Sequence, residues 1–275
     1  GLYPEHRIYG GVMIIVESGF AGTLHPLTHP RIGASPVSGT VTASTEATGF
    51  DADYAANDNT YEGWKPTAVP ATWDLVFAAS APVSYVGIAG HTLGTALATV
   101  AVQRWNGAAW VTMASHSPTD DSPILFLLER RTLDRLRVLV SGAVAVIAVV
   151  YIGDVIEFPR PCRYNGSTAF DLSDQDEYRD IVSDGGHVLE RFVTRRSIPV
   201  KMEVANLSEP WAVAKLAPLR THLKTRPIFI ADRPGTYPSS VAFGRTTGPL
   251  QLPRDKAQAA AAIGVTFEVI GHVSA

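Results

Sequence analysis

The region from residue 36 to residue 158 consists of short apolar runs separated by turn residues. The runs alternate or are continuously apolar, as β-strands are: SGTVTAST, TWDLVFA, VSYVGIAG, ATVAVQRW, WVTMAS, ILFLLE, RLRVLVS and AVAVIAVVYIGDVIEF. Gly, Pro, Asn and Asp separate them, and Asn106-Gly107 in RWNGAAW is typical of a tight hairpin turn. These runs, with no convincing helix among them, predict a β-sandwich or jelly roll.

The flanking parts of the chain have a different pattern. Residues 1–35 hold one apolar strand, GVMIIVESG, followed by a loop rich in Gly, His and Pro. The sequence FPRPC marks a boundary after residue 158, because two prolines cannot extend a strand. Residues 159–275 combine one helix with predicted strands, which are RRSIPVKMEVAN, RPIFIADRP, SSVAFGRT and AIGVTFEVIGHVS. We therefore predict a smaller α+β domain that the strand of residues 1–35 joins, with the jelly roll as an insertion.

One main helix is predicted in LSEPWAVAKLAPLRTHLKT. Ser208 suits the N-cap position, and Pro210 lies in the first turn, where its missing N–H is tolerated. Pro218 is expected to kink or divide the helix, because it removes an internal hydrogen bond. The residues near helical spacing, which predict the buried face, are Trp211, Ala214, Lys215, Leu219 and Leu223.

The composition excludes several functional classes. The chain has 275 residues and a net charge of −3, without the basic excess that is typical of nucleic-acid binders. The apolar stretch 138–153 is shorter than the roughly 20 residues of a spanning helix, so two buried strands joined by a tight turn fit better. Cys162 is the only cysteine, which rules out an internal disulfide. We expect neither a nucleic-acid partner nor insertion into a membrane.

No catalytic motif accompanies these elements. The sequence lacks G-x-S-x-G, G-x-G-x-x-G and G-x-x-x-x-G-K-[ST], and no Ser-His-Asp arrangement can be argued. We therefore expect a protein that is not an enzyme. His and Glu precede any apolar run in GLYPEHRIYGG, a pattern that differs from a secretion signal and favours synthesis in the cytoplasm.

The stretch VTASTEATGFDADYAANDNTYEGWKP, followed by ATWDLVF and APVSYVGIAGHTLG, resembles the discoidin or coagulation-factor C-type domain. That family belongs to the galactose-binding-like jelly rolls, in which a turn with Asp or Asn precedes Thr and Trp, and a strand is built around Trp. VAVQRWNGAAWVTM and LDRLRVLVSG match the later strands of the family. The resemblance covers most of residues 36–158 and implies a galactose-binding-like jelly roll, which binds either a sugar or only other proteins. The disulfide that often closes the family's domain is absent here.

The C-terminal part resembles bacteriophage tail-tube and distal tail proteins. In them a strand leads to a helix and then to an x-I-F-I-x-D strand with a short turn, as VTRRSIPVKMEVANLSEPWAVAKLAPLRTHLKTRPIFIADRPGTYP does here. The resemblance implies a non-enzymatic structural protein of the tail, assembled in the host cytoplasm into the virion. It further implies a homo-oligomeric ring whose jelly roll docks other tail proteins or host surface glycans during host attachment.

Polar residues around the first resemblance are candidate ligand contacts. Tyr61 and the KPTAVP loop, which begins at Lys65, offer exposed contacts for a sugar. Asn59 and His91 complete the predicted ligand-binding set. A core position is expected for two tryptophans, with a sugar-stacking platform as the alternative: Trp64 and Trp73.

An oxygen-rich cluster before Trp64 is a candidate calcium site. It contains Asp51, Asp53, Asn57, Asp58 and Asn59. Hard cations prefer oxygen ligands, and related jelly rolls hold a structural calcium in this region. Our calcium prediction uses Asp53, Asn57 and Asp58. Its alternative is an Asx-rich turn whose side chains bond their own backbone.

A charged segment predicts a contact between subunits. Asp174, Asp176 and Glu177 lie in DLSDQDEYRD, and Arg195 and Arg196 lie in the nearby ERFVTRR. Opposite charges on neighbouring subunits would set their register. Paired carboxylates also perform acid–base chemistry, so an accessory fragment of a glycan-degrading enzyme that uses Asp174 or Glu177 is a further alternative.

Two functional classes therefore stand ahead of that enzyme fragment. The first prediction is a tail protein that forms a ring and docks tail proteins or host glycans. The alternative is a stand-alone carbohydrate-binding lectin or adhesin module. Mass in solution helps to separate them, because a ring protein self-associates or needs its neighbours, whereas a lectin of this size binds sugar alone as a small soluble species.

Overall fold

The computed structural model describes residues 12–20, 24–163, 167, 176–195, 197–250, 252–255 and 262–272. Within these ranges the chain is mainly β and has one α-helix, as predicted. The strands up to residue 157 are β1 (Ile14–Val16), β2 (Arg31–Gly33), β3 (Gly39–Ala43), β4 (Ala71–His91), β5 (Thr99–Trp105), β6 (Trp110–His116), β7 (Ile124–Ser141), β8 (Ile147–Gly153) and β9 (Ile156–Glu157). The later elements are β10 (Glu177–Val182), β11 (Val188–Arg195), β12 (Ser197–Ser208), α1 (Glu209–His222), β13 (Ile228–Ala231), β14 (Val241–Thr246), β15 (Arg254–Asp255) and β16 (Ala262–His272).

A long antiparallel ribbon of β4 and β7 organises the jelly roll. One half of the ribbon is flanked by β3 and by β5, which continues to β6, and the other half is flanked by β8 and β1. The register shifts between Val76 and Ala81, where the ribbon passes from one layer of the sandwich to the other. Apolar side chains from both halves, including Trp73 and Phe126, share one core.

A second sheet covers one face of the jelly roll. Its strand order is β12–β16–β14–β13–β2–β9, with β15 paired to β16, and the pairs are antiparallel. Strand β13 is buried on both faces. Ile228 and Ile230 pack into the core beneath α1, whereas Phe229 and Ala231 pack into the core of the jelly roll. Because side chains alternate along a strand, the second sheet lies between the helix and the jelly roll.

Two glycines let the second sheet approach the jelly roll closely. A Cβ atom on Gly87 would lie 2.6 Å from the ring of Phe229, and one on Gly33 would lie 2.5 Å from the ring of Tyr85. Both distances are well below the roughly 3.5 Å of an ordinary carbon–carbon contact, so Ala at either position would push the layers apart. The hydroxyl of Tyr85 also donates a hydrogen bond to the carbonyl of Ala34, at 3.1 Å.

The N-terminal segment is shared between the two sheets. We expected the strand in GVMIIVESG to join the C-terminal domain, but β1 pairs in parallel with β7, with Ile14 opposite Leu125. The next strand, β2, pairs with β13 of the second sheet, with Ile32 opposite Ile230. Burial of Ile14 in the core of the jelly roll stabilises the placement of β1.

Local turn and strand signals are confirmed. Gly107 in the Asn106-Gly107 turn has a φ of 98°, and Asn106 Oδ1 accepts the N–H groups of Ala108 and Ala109 at 2.9 and 2.8 Å. The apolar stretch 138–153 forms the end of β7 and the whole of β8. None of the helical segments in the described ranges is long and apolar enough to cross a membrane.

Helix α1 follows Ser208, as predicted, and has Pro210 in its first turn. It continues through Pro218, so of the two predicted effects of this proline, a kink or a division, the division is wrong. Packing against the second sheet buries Leu219, as predicted, and the predicted Trp211 and Leu223 pack against the same core. The predicted Ala214 and Lys215 are exposed instead, and the stripe is completed by Ala212, Leu216 and His222. Tertiary contacts thus hold the helix together across its proline.

Candidate functional site

A cleft lies where loop 57–60 of the jelly roll meets the second sheet, and we name it the inter-sheet cleft. Two adjoining cavities of about 310 and about 400 Å³ form it and share Asp58, Thr60 and Arg245. The apolar part of its lining consists of Pro227, Phe243 and Ile270. The polar part further includes Asn57, Asn59, Ser197, Thr246, Thr247 and His272. Such a mixed lining is typical of sites for small polar molecules.

Asp58 is the centre of a hydrogen-bonded cluster in this cleft. Arg226 donates from Nη2 to Oδ1 at 2.7 Å and from Nε to Oδ2 at 2.8 Å. The hydroxyl of Tyr151 donates to Oδ1 of the same carboxylate at 2.5 Å. Bidentate Arg–carboxylate contacts are among the stronger polar interactions of proteins. Because Tyr151 lies on β8 and Arg226 follows α1, the cluster ties the loop to both sheets.

Aromatic side chains form the inner wall of this cluster. The ring of Tyr151 contacts the rings of Phe229 and Phe243, with centroid distances of 5.6 and 5.7 Å. The guanidinium of Arg226 lies 5.6 Å from the centroid of the Tyr151 ring. His222 donates from Nε2 to the carbonyl of Pro227 at 2.9 Å. The polar groups are therefore held against a rigid apolar support.

The cluster keeps Asp58 charged at neutral pH. Burial raises the pKa of Asp58, but the hydrogen bonds from Arg226 and Tyr151 and the charge of Arg226 outweigh it, and the pKa lies below its ordinary value. Burial lowers the pKa of His272, so this ring is neutral at pH 7. Arg226 balances the charge of Asp58, whereas no described residue balances the charge of Arg245.

Arg245 lies on β14 and lines both cavities. Its Nη1 donates to the carbonyl of Thr225 at 2.5 Å, which orients the guanidinium. In the part of the chain that the structure describes, no Asp or Glu side chain forms an ion pair with it. The remaining N–H groups of Arg245 are therefore available to a ligand.

The loop that carries Asp58 is fixed by its own side chains. Asn57 Oδ1 accepts the N–H of Asn59 at 2.6 Å, and Asn59 Oδ1 accepts the N–H of Tyr61 at 2.9 Å. This arrangement is the Asx-rich turn that we considered as the alternative to a calcium site. It places the Asp58 carboxylate towards Arg226 and Tyr151 rather than towards a cation.

The predicted calcium ligands accordingly have other positions and partners. Asp58 is paired with Arg226, Asn57 bonds the backbone of its own turn, and Asp53 lies in a 3-10 turn, Ala52–Ala56. Among the described residues, no group of three or more His, Cys, Asp and Glu side chains could hold a metal ion. A cation at Asp58 would have to displace a guanidinium that contacts both carboxylate oxygens.

The predicted ligand contacts are divided between the cleft and other places. Asn59 lines the cavity of about 400 Å³. Tyr61 follows Thr60 directly and is 93% exposed. The ammonium of Lys65 lies 5.5 Å from the ring of Phe50, and Lys65 lines neither cavity. The structure therefore brings Asn59 and Tyr61 to the cleft region, but not Lys65.

His91, also predicted as a ligand contact, is buried instead, with 1% exposure. Its Nδ1 accepts the N–H of Leu93 at 3.2 Å, and its Nε2 donates to the carbonyl of Ser122 at 2.8 Å. Burial lowers the pKa of His91 to about 4, although Asp121 lies 3.9 Å from Nδ1 and opposes the shift. His91 is thus a neutral structural residue, because the loops at residues 92–97 and 120–122 close over it.

Trp64 and Trp73 are core residues, as predicted, with 0% and 1% exposure. Their indole N–H groups donate to the carbonyls of Thr45 and Ala52 at 3.0 and 2.9 Å. Both faces of each ring are therefore enclosed by protein, which excludes a sugar-stacking platform at these two positions.

The predicted charged contact falls on a hairpin of β10 and β11. Asp180 and Arg191 form a bidentate pair across this hairpin, at 2.7 and 3.0 Å. Opposite charges of the two segments thus pair within one chain, and the contact between subunits stays a prediction. Glu177 begins β10, and Asp176 precedes it. Outside the described residues lie Asp174, Arg196 and the side chain of Arg195.

Most residues at the cleft were not predicted from the sequence, and the chemistry of the cleft depends on three of them: Tyr151, Arg226 and Arg245. Tyr151 interrupts the apolar run IAVVYIG with a hydroxyl, a signal that a buried polar partner is needed. Arg226 has no such signal, because Asp58 lies 168 residues away in the sequence. Arg245 is one of several arginines in strands, and its place in a cleft depends on how the sheets pack.

No protein-family model and no curated protein matches this sequence. Solved structures similar to part of the chain include carbohydrate-binding modules with a jelly-roll fold. One is the family 32 module of Clostridium perfringens NanJ in complex with galactose, with 14% identity, a TM-score of 0.40, and coverage of 46% of this chain and 99% of that chain. Another is a pectin-binding module, with 15% identity, a TM-score of 0.38, and coverage of 44% and 92%.

A third similar structure is chitosan-binding module 2 from a chitosanase/glucanase of Paenibacillus sp. IK-5, in complex with chitotriose. It has 16% identity and a TM-score of 0.37, and the match covers 43% of this chain and 98% of that chain. These likenesses are restricted to part of the chain and concern the fold. The chemistry of a ligand depends on the residues that line the inter-sheet cleft.

Proposed function

We propose that this protein binds a glycan in the inter-sheet cleft, as a carbohydrate-binding lectin or adhesin module, and that it does so without catalysis. The observation that carries the proposal is the lining of the cleft. Hydroxyl, amide and charged side chains stand beside the half-buried Ile270, above the buried side chains of Pro227 and Phe243. A sugar presents hydroxyl groups and C–H faces to a protein, so it matches such a lining.

The exposed ring of Tyr61 supports the same proposal. It is 93% exposed, directly after the cleft residue Thr60, and its N–H is held by Asn59. An aromatic ring at this position offers a flat apolar surface for the C–H face of a sugar that extends out of the cleft.

A structural role in a bacteriophage tail is the second candidate. The hairpin of β10 and β11 favours it, because a lone two-stranded hairpin is only marginally stable in water. Its large exposed apolar residues are Tyr178, Ile181, Val182, Val188, Leu189, Phe192 and Val193. In this role the hairpin contacts neighbouring tail subunits in the virion, and the cleft binds a host surface glycan. The similar structures reported above do not support this role, and self-association in light scattering would be its first requirement.

The test of the first proposal is a screen of immobilised oligosaccharides, followed by titration calorimetry with the glycans that bind. Thr247 is exposed and lines the cleft, so Thr247→Trp should block the cleft without disturbing the core. We expect a loss of affinity of at least about tenfold, since a bulky ring would occupy the space of the ligand. Val213→Trp is the matched control, because Val213 is 62% exposed on α1. Unchanged binding by Thr247→Trp, or no glycan bound by the unmodified protein, would contradict the proposal.

A further inference from the structure

We infer that the inter-sheet cleft selects glycans that carry a carboxylate, namely uronic-acid sugars, and that Arg245 binds this carboxylate. The inference rests on the proposed glycan-binding function and adds the chemical class of the ligand. It is carried by the juxtaposition of a guanidinium that has no ion-pair partner among the described residues with the sugar-sized space of two cavities.

The acidic side chains around the cleft are paired with basic side chains other than Arg245. Asp58 is neutralised by the bidentate contact with Arg226. Glu268 accepts the N–H of Thr247 through its backbone carbonyl, and its carboxylate pairs with Lys201 at 3.3 Å. Among the charged side chains of the described residues around the cleft, Arg245 is thus the one without an opposite charge. An anionic ligand would supply that charge.

A hydrogen bond to the backbone fixes the orientation of the Arg245 guanidinium. The carbonyl of Thr225 holds Nη1 at 2.5 Å, so the guanidinium is oriented before a ligand arrives. Its other N–H groups form a planar fork that fits the two oxygens of a carboxylate. Orientation in advance reduces the entropy that binding would otherwise cost.

Hydroxyl and amide side chains surround the guanidinium in the same cavity. Thr60, Asn57 and Asn59 line the cavity of about 400 Å³ together with Arg245. Their hydroxyl and amide groups can bond the ring hydroxyls of a sugar whose carboxylate meets Arg245. A free small anion would use the guanidinium alone and leave these groups to water. A uronic acid, which joins a carboxylate to a hydroxylated ring, uses both.

The experiment is calorimetry with a linear trimer of glucuronic acid, its methyl ester and a sulfated neutral trisaccharide. The ester keeps the sugar ring and removes the charge. We expect the acid to bind at least about tenfold more tightly than the ester, as a charge-assisted bidentate contact provides. Arg245→Gln should abolish this difference, and Arg245→Lys should retain only part of it, since an ammonium has no planar fork. Arg220→Gln, on the exposed side of α1, should leave it unchanged.

The outcomes separate this inference from the proposed function. Equal binding of the acid and the ester by the unmodified protein overturns the inference and leaves glycan binding in place. Tighter binding of the sulfated sugar, lost in Arg245→Gln, overturns the choice of a carboxylate. If none of the sugars in this set and in the glycan screen binds, both proposals fall. Should Arg245→Gln lose its fold, the comparison of acid with ester on the unmodified protein still decides.

Discussion

Two polar clusters of this protein are centred on residues that the sequence predicts as candidate ligands. One surrounds His91 at the loops of the jelly roll, and the other surrounds Asp58 at the inter-sheet cleft. In the first, Nδ1 accepts the N–H of Leu93 and Nε2 donates to the carbonyl of Ser122, so both ring nitrogens are used. In the second, the carboxylate is equally well satisfied, but the cleft beside it is also lined by Arg245, for which the described part of the chain supplies no carboxylate partner.

The difference shows which polar residues build the fold and which are left for a partner. The His91 cluster is closed, because each polar atom of the buried ring meets a group of the same chain. The Asp58 cluster is closed around the carboxylate but borders two cavities, and Arg245 at that border has no opposite charge among the residues that the structure describes. Changes at His91 should therefore affect stability alone, whereas changes at the cleft should affect binding more than stability.

The largest effect on stability is expected for His91→Ala. The substitution removes two hydrogen bonds, leaves the N–H of Leu93 and the carbonyl of Ser122 unpaired, and opens a cavity. We expect the free energy of unfolding in urea to fall by about 3 kcal/mol. The exposed His187 in the turn of the hairpin provides the control. His187→Ala should change the free energy of unfolding by less than about 0.5 kcal/mol. If His91→Ala were as stable as the control, the cluster would not hold these loops together.

A smaller effect is expected from pH. The pKa of His91 is about 4 in the folded protein and about 6.5 in the unfolded chain. As the pH falls, the unfolded chain therefore binds a proton at a higher pH than the folded protein does. The contribution of His91 to the free energy of unfolding is therefore fully present above the unfolded pKa of about 6.5 and is lost as the pH falls from 6.5 to 4. Between pH 7 and pH 5 the loss due to His91 should be about 2 kcal/mol.

This pH effect can be measured by denaturation of the unmodified protein and of His91→Gln at both pH values. Other histidines with a lowered pKa contribute the same slope to both proteins, so they cancel in the difference; they are His25, His116, His222 and His272. Parallel pH profiles for the two proteins would show that His91 is not the group that titrates.

The jelly roll could be predicted because its signals are local. Alternating apolar runs, the Asn106-Gly107 turn and the apolar stretch 138–153 each act within a few residues, and the structure follows them. The same holds for Ser208 and Pro210 at the start of α1. The division of residues 12–33 between the sheets could not be predicted, because either sheet can accept a short apolar strand.

The cleft could be predicted only in part, because its groups come from distant parts of the chain. The loop at Asp58 was marked by its oxygen-rich sequence, yet Arg226, which decides the role of Asp58, lies 168 residues away. His91 was predicted as a ligand contact, but the structure buries it. A histidine between Gly90 and Thr92 is typical of an exposed turn, and it is buried because Asp121 binds the N–H groups of Gly94 and Thr95 and closes the loops over it.

The smallest effect on stability is expected for Asp58→Asn, which removes the charge and keeps the shape. The side chains of Asp58 and Arg226 are 21% and 36% exposed, so water screens part of their attraction. We expect a loss of about 1 kcal/mol at pH 7, measured by urea denaturation. Because the pKa of Asp58 is lowered in the folded protein, its contribution is present above the ordinary pKa of 3.8 and is lost as the pH falls through the folded value. The loss caused by Asp58→Asn should therefore disappear in acid.

Asp51→Asn is the matched control for this change, since Asp51 is exposed and precedes the same loop. It should leave the free energy of unfolding unchanged at both pH values. A double-mutant cycle with Arg226→Gln isolates the pair, and a coupling close to zero would mean that the contact across the two sheets contributes nothing to stability. In that case Asp58 and Arg226 would resemble Arg245 more than His91. The whole cluster would then be a polar surface held in place by the packing of Tyr151 against Phe229 and Phe243.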